Sequence, residues 1–215
     1  VKFGPWSCSV TIRRGGDWGR LGTPPEDLPS ARSDHEIGEH LGNGVSTIRL
    51  RGGDMFATLG GSTSGSLTPT LELPIDVMQI SFKYSRDSEL KTRVASSHCV
   101  LRAINARGGW FRGSAVAIMN AQYLGKWDVA PRGHPNDGRV EVLEVDTRMS
   151  VRQRMIARSR MQTGTHLPHP DVAVKSVSEF VWSGSALSMW IDGAKIGLVQ
   201  FVEIQVMKDF ATLWI

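Results

Sequence analysis

Cysteine and long apolar runs are both scarce in this chain. Only two of the 215 residues are cysteine, Cys8 and Cys99, and they lie too far apart to form a metal-binding spacing. We expect two reduced, buried thiols rather than one disulfide. No apolar run approaches the roughly 20 residues that span a bilayer, and the first residues lack the hydrophobic region of a signal peptide. These absences predict a soluble, cytoplasmic protein.

The common motifs of catalysis are also missing. The sequence has no G-x-x-x-x-G-K-[ST] loop to hold nucleotide phosphates and no G-x-S-x-G turn to present a nucleophilic serine. His98 and Cys99 are adjacent, so on a strand they would point to opposite faces and could not form a nucleophile–base pair. RGGD occurs at residues 14–17 and 51–54 in unrelated surroundings, which indicates turns and not a repeat. We therefore predict no nucleotide site.

The charge of the chain is moderately basic. A formal net charge of +4 and a pI near 9.3 predict a mild attraction to anionic surfaces such as phospholipid headgroups. The excess is too small to predict specific binding to nucleic acid.

The pattern of apolar residues is that of strands, with glycine and proline between them. It predicts a mainly β fold, a two-layer antiparallel β-sandwich with one or two short helices, formed by residues 1–215 as a single domain. A Gly/Ser-rich loop is expected at residues 60–66. The runs with strand character are residues 9–13, 46–50, 115–120, 139–145, 185–191, 198–206 and 210–215.

Two segments have helical character. Ser33 begins a short one, residues 33–40, with Glu36 placed as a capping box requires. Ser150 begins the other, residues 150–161, in which Val151, Met155 and Ile156 form an apolar stripe. The opposite face carries Arg152, Arg154, Arg158 and Arg160. This arginine face is either a docking surface for phosphate or acidic lipid, or an ordinary solvated face.

Three histidines lie in two neighbouring loop segments. His134 stands in APRGHPNDGR, and His166 and His169 stand in GTHLPHP. Together with Asp137 they could hold a transition metal, they could form a hydrogen-bonded loop cluster, or Arg132 with His134 and His166 could bind phosphate. The turn signal Asn136-Asp137-Gly138 predicts a hairpin between WDVAP and RVEVLEV, and such a turn can also hold a hard cation.

Several of these segments occur in a familiar order. The stretch MNAQYLGKWDVAPRGHPNDGRVEVLEV (residues 119–145), the basic helix, residues 164–170 and the strand end at 190–193 resemble the C-terminal domain of bacterial diacylglycerol kinase and sphingosine kinase-like lipid kinases. Stand-alone actinobacterial relatives carry a similar APRGHPNDG run. The resemblance covers residues 119–215 and implies a two-layer antiparallel β-domain that helps to form a lipid cleft. It also implies a structural Mg²⁺ held by the Asp137 carboxylate and the carbonyls of His134 and Arg139.

The sequence departs from that family in two places. The nucleotide-binding domain with its GGDGT loop is missing, and the family's Asp-Gly-Glu reads Asp192-Gly193-Ala194. Ala194 therefore replaces the glutamate proposed as general base, and a methyl group cannot accept a proton. We expect that the chain does not phosphorylate a lipid on its own.

Three hypotheses follow for function. The first is a non-catalytic protein that binds a lipid or phospho-ligand, with Arg132, His134, His166, His169 and Asp192 as ligand-binding residues. The second is a partner subunit that completes a kinase with a separate nucleotide-binding chain. The third is an unrelated enzyme that uses the histidine cluster. Five aromatic side chains, which serve either a lipid cleft or ordinary core packing, are Trp110, Phe111, Trp127, Trp182 and Trp190.

Overall fold

The computed structural model describes residues 18–61 and 70–215. Cys8, the strand expected at residues 9–13, the first RGGD copy and most of the Gly/Ser-rich loop lie outside these ranges. In the described part the strands are β1 (Arg20–Gly22), β2 (Ser30–Ala31), β3 (Thr47–Leu50), β4 (Thr70–Lys83), β5 (Lys91–Ala95), β6 (His98–Ala103), β7 (Ala115–Met119), β8 (Tyr123–Leu124), β9 (Trp127–Asp128), β10 (Val140–Val145), β11 (Val172–Val177), β12 (Glu179–Ile191) and β13 (Ala194–Trp214). The helices are α1 (Asp34–Gly42), α2 (Asp54–Thr58), α3 (Gly109–Arg112) and α4 (Val151–Arg160), with 3-10 turns at Asn105–Arg107 and Met161–Thr163.

One large sheet dominates the fold, as the sequence predicted. Its main path runs β1-β4-β13-β12-β6-β7-β10-β11, and all neighbours on this path are antiparallel. Strand β5 adds to β4 at one edge. The mainly β prediction is therefore confirmed. The sheet is folded so that β4, β6, β7, β10, β12 and β13 enclose one apolar core.

The two longest strands connect this sandwich to a second part of the protein. Strand β13 has a bulge between Met207 and Ala211, where its pairing with β4 shifts. Before the bulge, β13 belongs to the sandwich core; after it, Ala211 and Leu213 belong to a second core with α1, α2 and β3. The bulge increases the local bend, so one strand pair serves both cores. The sequence predicted two separate strands here because Lys208 and Asp209 interrupt the alternation.

The second core has α/β character that the sandwich prediction did not include. Strand β3 pairs in parallel with the end of β13, and β2 pairs in parallel with β3. Helix α1 follows β2, and Ser33 caps it as predicted, since its Oγ accepts the Glu36 N–H at 3.3 Å. The predicted capping box is incomplete, because Glu36 Oε2 accepts the N–H of Arg32 at 2.8 Å and not that of Ser33. Helix α2 directly follows β3, as α1 directly follows β2. Since β2 and β3 are parallel, the helices that follow them both begin at the same edge of the sheet. In open α/β sheets this edge, at the carboxyl ends of the strands, is where ligands bind.

The turn at Asn136-Asp137-Gly138 is present, but the predicted hairpin is wrong. Strand β10, which follows the turn, pairs with β7 and β11, while β9 pairs with β8. The turn is instead held by Asp76, a buried residue of β4 whose Oδ2 accepts the Gly138 N–H at 2.5 Å. Its Oδ1 accepts the Asp209 N–H at 2.9 Å. The position of the turn in the fold is therefore set by its contacts with the buried carboxylate of Asp76 and not by the turn residues alone.

Candidate functional site

Asp192 lies at the tight turn between β12 and β13, directly against the start of β6. Its Oδ1 accepts the N–H groups of Ser97 and His98 at 2.9 Å each, and its Oδ2 accepts the Ser96 N–H at 2.8 Å. The residue has a φ of 46°, a conformation that costs energy for a non-glycine residue. Burial raises the pKa of Asp192 to about 7 and the charge of Asp34 adds to this, although the three backbone N–H groups act in the opposite direction.

Asp34, the first residue of α1, joins the same cluster from the α/β side. Its Oδ2 accepts the Asp54 N–H at 2.7 Å, and its Oδ1 accepts the Met55 N–H at 2.9 Å. Ser97 Oγ donates to Asp34 Oδ1 at 2.5 Å while the Ser97 N–H binds Asp192, so this serine links the two carboxylates. Asp34 therefore fills the N-terminus of α2 with a carboxylate of the protein itself.

His98 and Asp54 complete the cluster. His98 Nδ1 lies 3.7 Å from Asp54 Oδ2, and this buried nitrogen has no hydrogen-bond partner among the described residues. Burial lowers the pKa of His98. Burial and the nearby charge of Asp34 raise the pKa of Asp54. Both shifts favour the neutral forms, because burial removes these groups from water, although the nearby carboxylates act in the opposite direction on His98.

A cleft of about 290 Å³ opens beside this cluster, between α1 and the turn that joins β12 to β13. Asp192 and Ala194 line one side of it, and His35 and Glu39 of α1 line the other. His35 Nε2 and Glu39 Oε1 are 3.7 Å apart. The place where the resemblance implies a glutamate thus presents a methyl group to the cleft.

The three histidines of the loop segments have separate surroundings. The ring of His134 packs on Trp18 with centroids 4.2 Å apart, and its Nδ1 accepts the Asn136 N–H. His166 is buried, which lowers its pKa. His169 Nδ1 accepts the Asp171 N–H at 3.1 Å. Within residues 18–61 and 70–215, no three His, Cys, Asp or Glu side chains are grouped so that they could share a metal ion.

Asp137 is an exposed turn residue in this structure. Its Oδ1 accepts the Arg139 N–H at 2.9 Å, and the Arg139 guanidinium donates to the Ser176 carbonyl at 2.8 Å. The carboxylate thus acts as the cap of the turn, and the buried carboxylate at this place is Asp76. Arg132 is exposed on the neighbouring loop. The expectations of Mg²⁺ at Asp137 and of phosphate at Arg132 stay predictions.

Helix α4 faces the opposite way from the sequence prediction. Its capping box at Ser150 and Gln153 is present, but the inward face is formed by Arg154 and Ala157. The Arg154 guanidinium donates to the carbonyl oxygens of Met149, Asp146 and Trp110. Since three carbonyls satisfy this buried cation, the apolar stripe of the helix is turned to the outside.

The exposed side chains of α3 and α4 form a mixed apolar and basic surface. The two helices are in contact, and Trp110, Phe111, Met155 and Ile156 are 52%, 54%, 50% and 44% exposed. Neither helix contains Asp or Glu. We call these four residues, with the exposed arginines of both helices and of the preceding 3-10 turn, the α3/α4 surface. Its arginines are Arg107, Arg112, Arg152, Arg158 and Arg160.

The fold and these sites define a mainly β protein with a small α/β part and a buried carboxylate cluster between them. No family model and no curated protein matches the chain. Among solved structures it is similar to a chain assigned as a diacylglycerol kinase from Bacillus anthracis strain Sterne, with 12% identity and a TM-score of 0.49 over 78% of this chain and 68% of that one. A second such chain from that strain gives 10% identity and a TM-score of 0.47 over 84% and 81%. At these values the likeness identifies no activity.

Sequence reasoning named Asp192 as a ligand-binding residue, which stays a prediction, and it did not name the residues around Asp192. Asp34 was part of a predicted helix start, and Asp54 was part of a predicted turn. One pattern in the sequence could have indicated Asp34 and Asp54: each is the first residue of a helix that follows a short strand. Because the two strands are parallel, the starts of these helices lie close together.

Proposed function

We propose that this protein binds anionic lipid surfaces through the α3/α4 surface and acts there without catalysing phosphoryl transfer. The observation that carries the proposal is the orientation of α4, which buries an arginine and exposes Met155 and Ile156, while α3, which contacts α4, exposes Trp110 and Phe111. A helix on a globular protein normally packs its apolar stripe inward. Four exposed apolar side chains on two contacting helices indicate an interaction surface.

The charges around these side chains favour a membrane as the partner. The arginines of α3 and α4 have no acidic residue within either helix to neutralise them. Basic residues near an anionic bilayer contribute roughly 1 kcal/mol each, and tryptophan and phenylalanine are suited to the interfacial region. No described helix has the length and apolar character needed to cross a bilayer. The geometry therefore favours a protein that lies on the surface of a lipid layer.

Two features of the carboxylate cluster support a binding role without catalysis. Both oxygens of Asp34 and both oxygens of Asp192 already accept hydrogen bonds from the protein. The first N–H groups of α2, where an anionic phosphate could bind, are occupied by Asp34. Ala194 cannot serve as a base in the adjacent cleft.

Vesicle sedimentation tests this proposal. We expect the protein to sediment with mixed phosphatidylcholine–phosphatidylglycerol vesicles and to stay in solution with phosphatidylcholine alone. Binding should weaken as salt rises from 0.1 to 1 M, since the Debye length falls from about 10 to about 3 Å. Met155→Ser/Ile156→Ser should reduce vesicle affinity by about tenfold or more, because each apolar side chain placed in the interface contributes about 1 kcal/mol or more.

The matched control is Leu21→Ser/Leu90→Ser, which removes two exposed leucines elsewhere on the protein. This control should bind like the unaltered chain. Equal sedimentation of both double variants, or no preference for anionic vesicles, would rule out the α3/α4 surface as the membrane site. A defined protein partner recovered only with the unaltered α3/α4 surface would instead support the partner-subunit hypothesis.

A further inference from the structure

A second cleft, of about 470 Å³, lies on the outer face of the sandwich. It is lined by Lys83, Arg86, Ser183, Gly184, Gln200 and Phe201. Its volume is within the range of small-molecule sites, and its lining contains two cations and no carboxylate. None of the predicted ligand-binding residues belongs to it.

The register of three neighbouring strands explains why these side chains meet. Phe201 on β13 pairs with Lys83 on β4 and with Ser183 on β12. Residues that pair directly across a sheet point to the same face, so a cation, an aromatic ring and a hydroxyl lie side by side. Phe82 and Val202, the next residues, belong to the core, which places this row on the outside.

The walls of the cleft come from two irregular segments. On one side, the turn after β4 supplies Arg86. On the other, β12 leaves its register between Ser183 and Leu187, so the backbone around Gly184 bulges away from β13. A side chain at Gly184 would approach the Trp182 ring at 3.3 Å, so the ring limits what can stand at this wall. The cleft is thus a consequence of the strand bulge and not of a loose surface loop.

The donors in the cleft match a phosphoryl group. Among the described residues, neither Lys83 nor Arg86 forms an ion pair. Lysine and arginine together with the Ser183 hydroxyl and the Gln200 amide offer several hydrogen-bond donors to one anion with several oxygens. Phe201 supplies the apolar part of the lining. The next outward pair along these strands, Val181 and Glu203, lies outside the lining. The site therefore combines cationic and neutral hydrogen-bond donors with one aromatic ring.

We propose that this cleft binds a phosphate monoester or diester that carries an apolar group, such as a lipid headgroup with the first part of its chains. Arg107 donates to the Ala186 carbonyl in the bulge at 3.1 Å, so the cleft is connected to the segment that leads into α3. The site does not depend on membrane docking, because its lining comes from β4, the turn after β4, β12 and β13 and includes no residue of the α3/α4 surface.

Titration calorimetry with soluble probes tests this site apart from vesicle binding. The probes are inorganic phosphate, dihexanoyl phosphatidic acid below its micelle concentration, dihexanoylglycerol and acetate. We expect saturable binding of the phosphatidic acid with one site per chain, weaker binding of phosphate, and no binding of the uncharged glyceride. Equal affinity for phosphate and phosphatidic acid would still support a phosphoryl site but would assign it to free phosphate. Equal binding of acetate, or no binding of either phosphate compound, would overturn the proposal.

Variants locate the binding. Lys83→Gln/Arg86→Gln should lower the affinity for dihexanoyl phosphatidic acid by about tenfold or more, since two charge-assisted contacts are lost. Arg20→Gln/Lys195→Gln removes the same charge at exposed positions elsewhere and should bind normally. Thermal unfolding of both double variants checks that they are folded. Equal loss of affinity in both double variants, or no loss in Lys83→Gln/Arg86→Gln, would show that the cleft is not the site.

A third double variant separates this proposal from the proposed function. Met155→Ser/Ile156→Ser should still bind dihexanoyl phosphatidic acid even when it no longer sediments with vesicles.

Discussion

The guanidinium of Arg154 donates a hydrogen bond of 3.0 Å to the carbonyl oxygen of Trp110, and this bond ties α4 to α3. The same side chain donates to the carbonyls of Met149 and Asp146. One buried cation therefore joins two helices and the loop before α4. It also fixes which face of α4 is outside, and with it the exposure of Met155 and Ile156.

Replacing Arg154 with alanine should destabilise the protein. The change leaves carbonyl groups without their charged donor, and we expect a loss of about 2–4 kcal/mol in the free energy of unfolding. Urea unfolding followed by circular dichroism measures it. The control is Arg152→Ala, an exposed arginine of the same helix, which should change stability by less than about 0.5 kcal/mol. Similar small effects of both variants would contradict the anchoring role of Arg154.

The helix itself could be predicted from sequence, but its orientation could not. The N-cap at Ser150 is a local signal and was predicted correctly, whereas Gln153, which completes the capping box, was not singled out. The apolar stripe predicted the wrong inward face, because periodicity does not reveal that Arg154 meets three carbonyls from distant positions in the chain. The strands β3, β7 and β10 could also be predicted, because alternating or continuous apolar residues are a local property of the sequence, as the helix signals of α4 are.

A second prediction concerns Asp76, which accepts the N–H groups of Gly138 and Asp209. Asp76→Ala would leave two N–H groups without their acceptor in a largely buried place, so we expect a loss of about 2–5 kcal/mol. Chemical unfolding provides the measurement. Asp137→Ala, which removes the exposed carboxylate of the same turn, should cost about 1 kcal/mol or less. A larger effect at Asp137 than at Asp76 would mean that Asp137 has a role that this geometry does not give it, such as holding the predicted Mg²⁺.

Long-range polar contacts account for most of what the sequence did not predict. Ser97 and Asp34 are 63 positions apart, and Ser96 and Asp192 are 96 apart. Asp76 stands inside the run LELPIDVMQI, which belongs to β4, a strand that the sequence analysis did not predict. Nothing local indicates that a carboxylate in such a strand meets a bulge more than 100 residues later.

Introducing a glutamate into the cleft tests the expectation that the chain does not phosphorylate a lipid on its own. Ala194→Glu places a carboxyl group beside Asp192, but Asp34 still occupies the start of α2. We therefore expect no transfer of phosphate from ATP and Mg²⁺ to diacylglycerol in mixed micelles, either by the unaltered chain or by this variant. Ala194→Gln has the same size without a base and serves as the control. Activity in the glutamate variant alone would show that a nucleotide site exists and would refute the expectation.

The last prediction concerns pH and follows from Asp192. Its pKa is raised from an ordinary 3.8 to about 7 in the folded protein. Between these values the folded state holds a proton that the unfolded state has lost, so the contribution of Asp192 to stability decreases as pH rises through this range. Below about pH 4 the contribution is complete, and above about pH 7 it no longer changes. The neighbouring groups Asp34, Asp54 and His98 remain in place in any variant of Asp192 alone.

Asp192→Asn removes the titrating carboxyl group and keeps one acceptor for Ser97 and His98. Its NH2 group can donate to Ser96 Oγ but cannot accept the Ser96 N–H, which costs the variant a pH-independent amount of stability. Subtracting its free energy of unfolding from that of the unaltered chain cancels the titration of groups that the charge of Asp192 does not influence. The remaining pH dependence belongs to Asp192 together with Asp54, whose pKa the charge of Asp192 also raises. We expect this difference to favour the variant progressively as pH rises from 5 to about 7 and to level off above that, as measured by urea unfolding at each pH from 5 to 8. A difference that stays constant over this range would mean that Asp192 is already ionised at pH 5. Its three backbone N–H donors would then outweigh burial and the charge of Asp34.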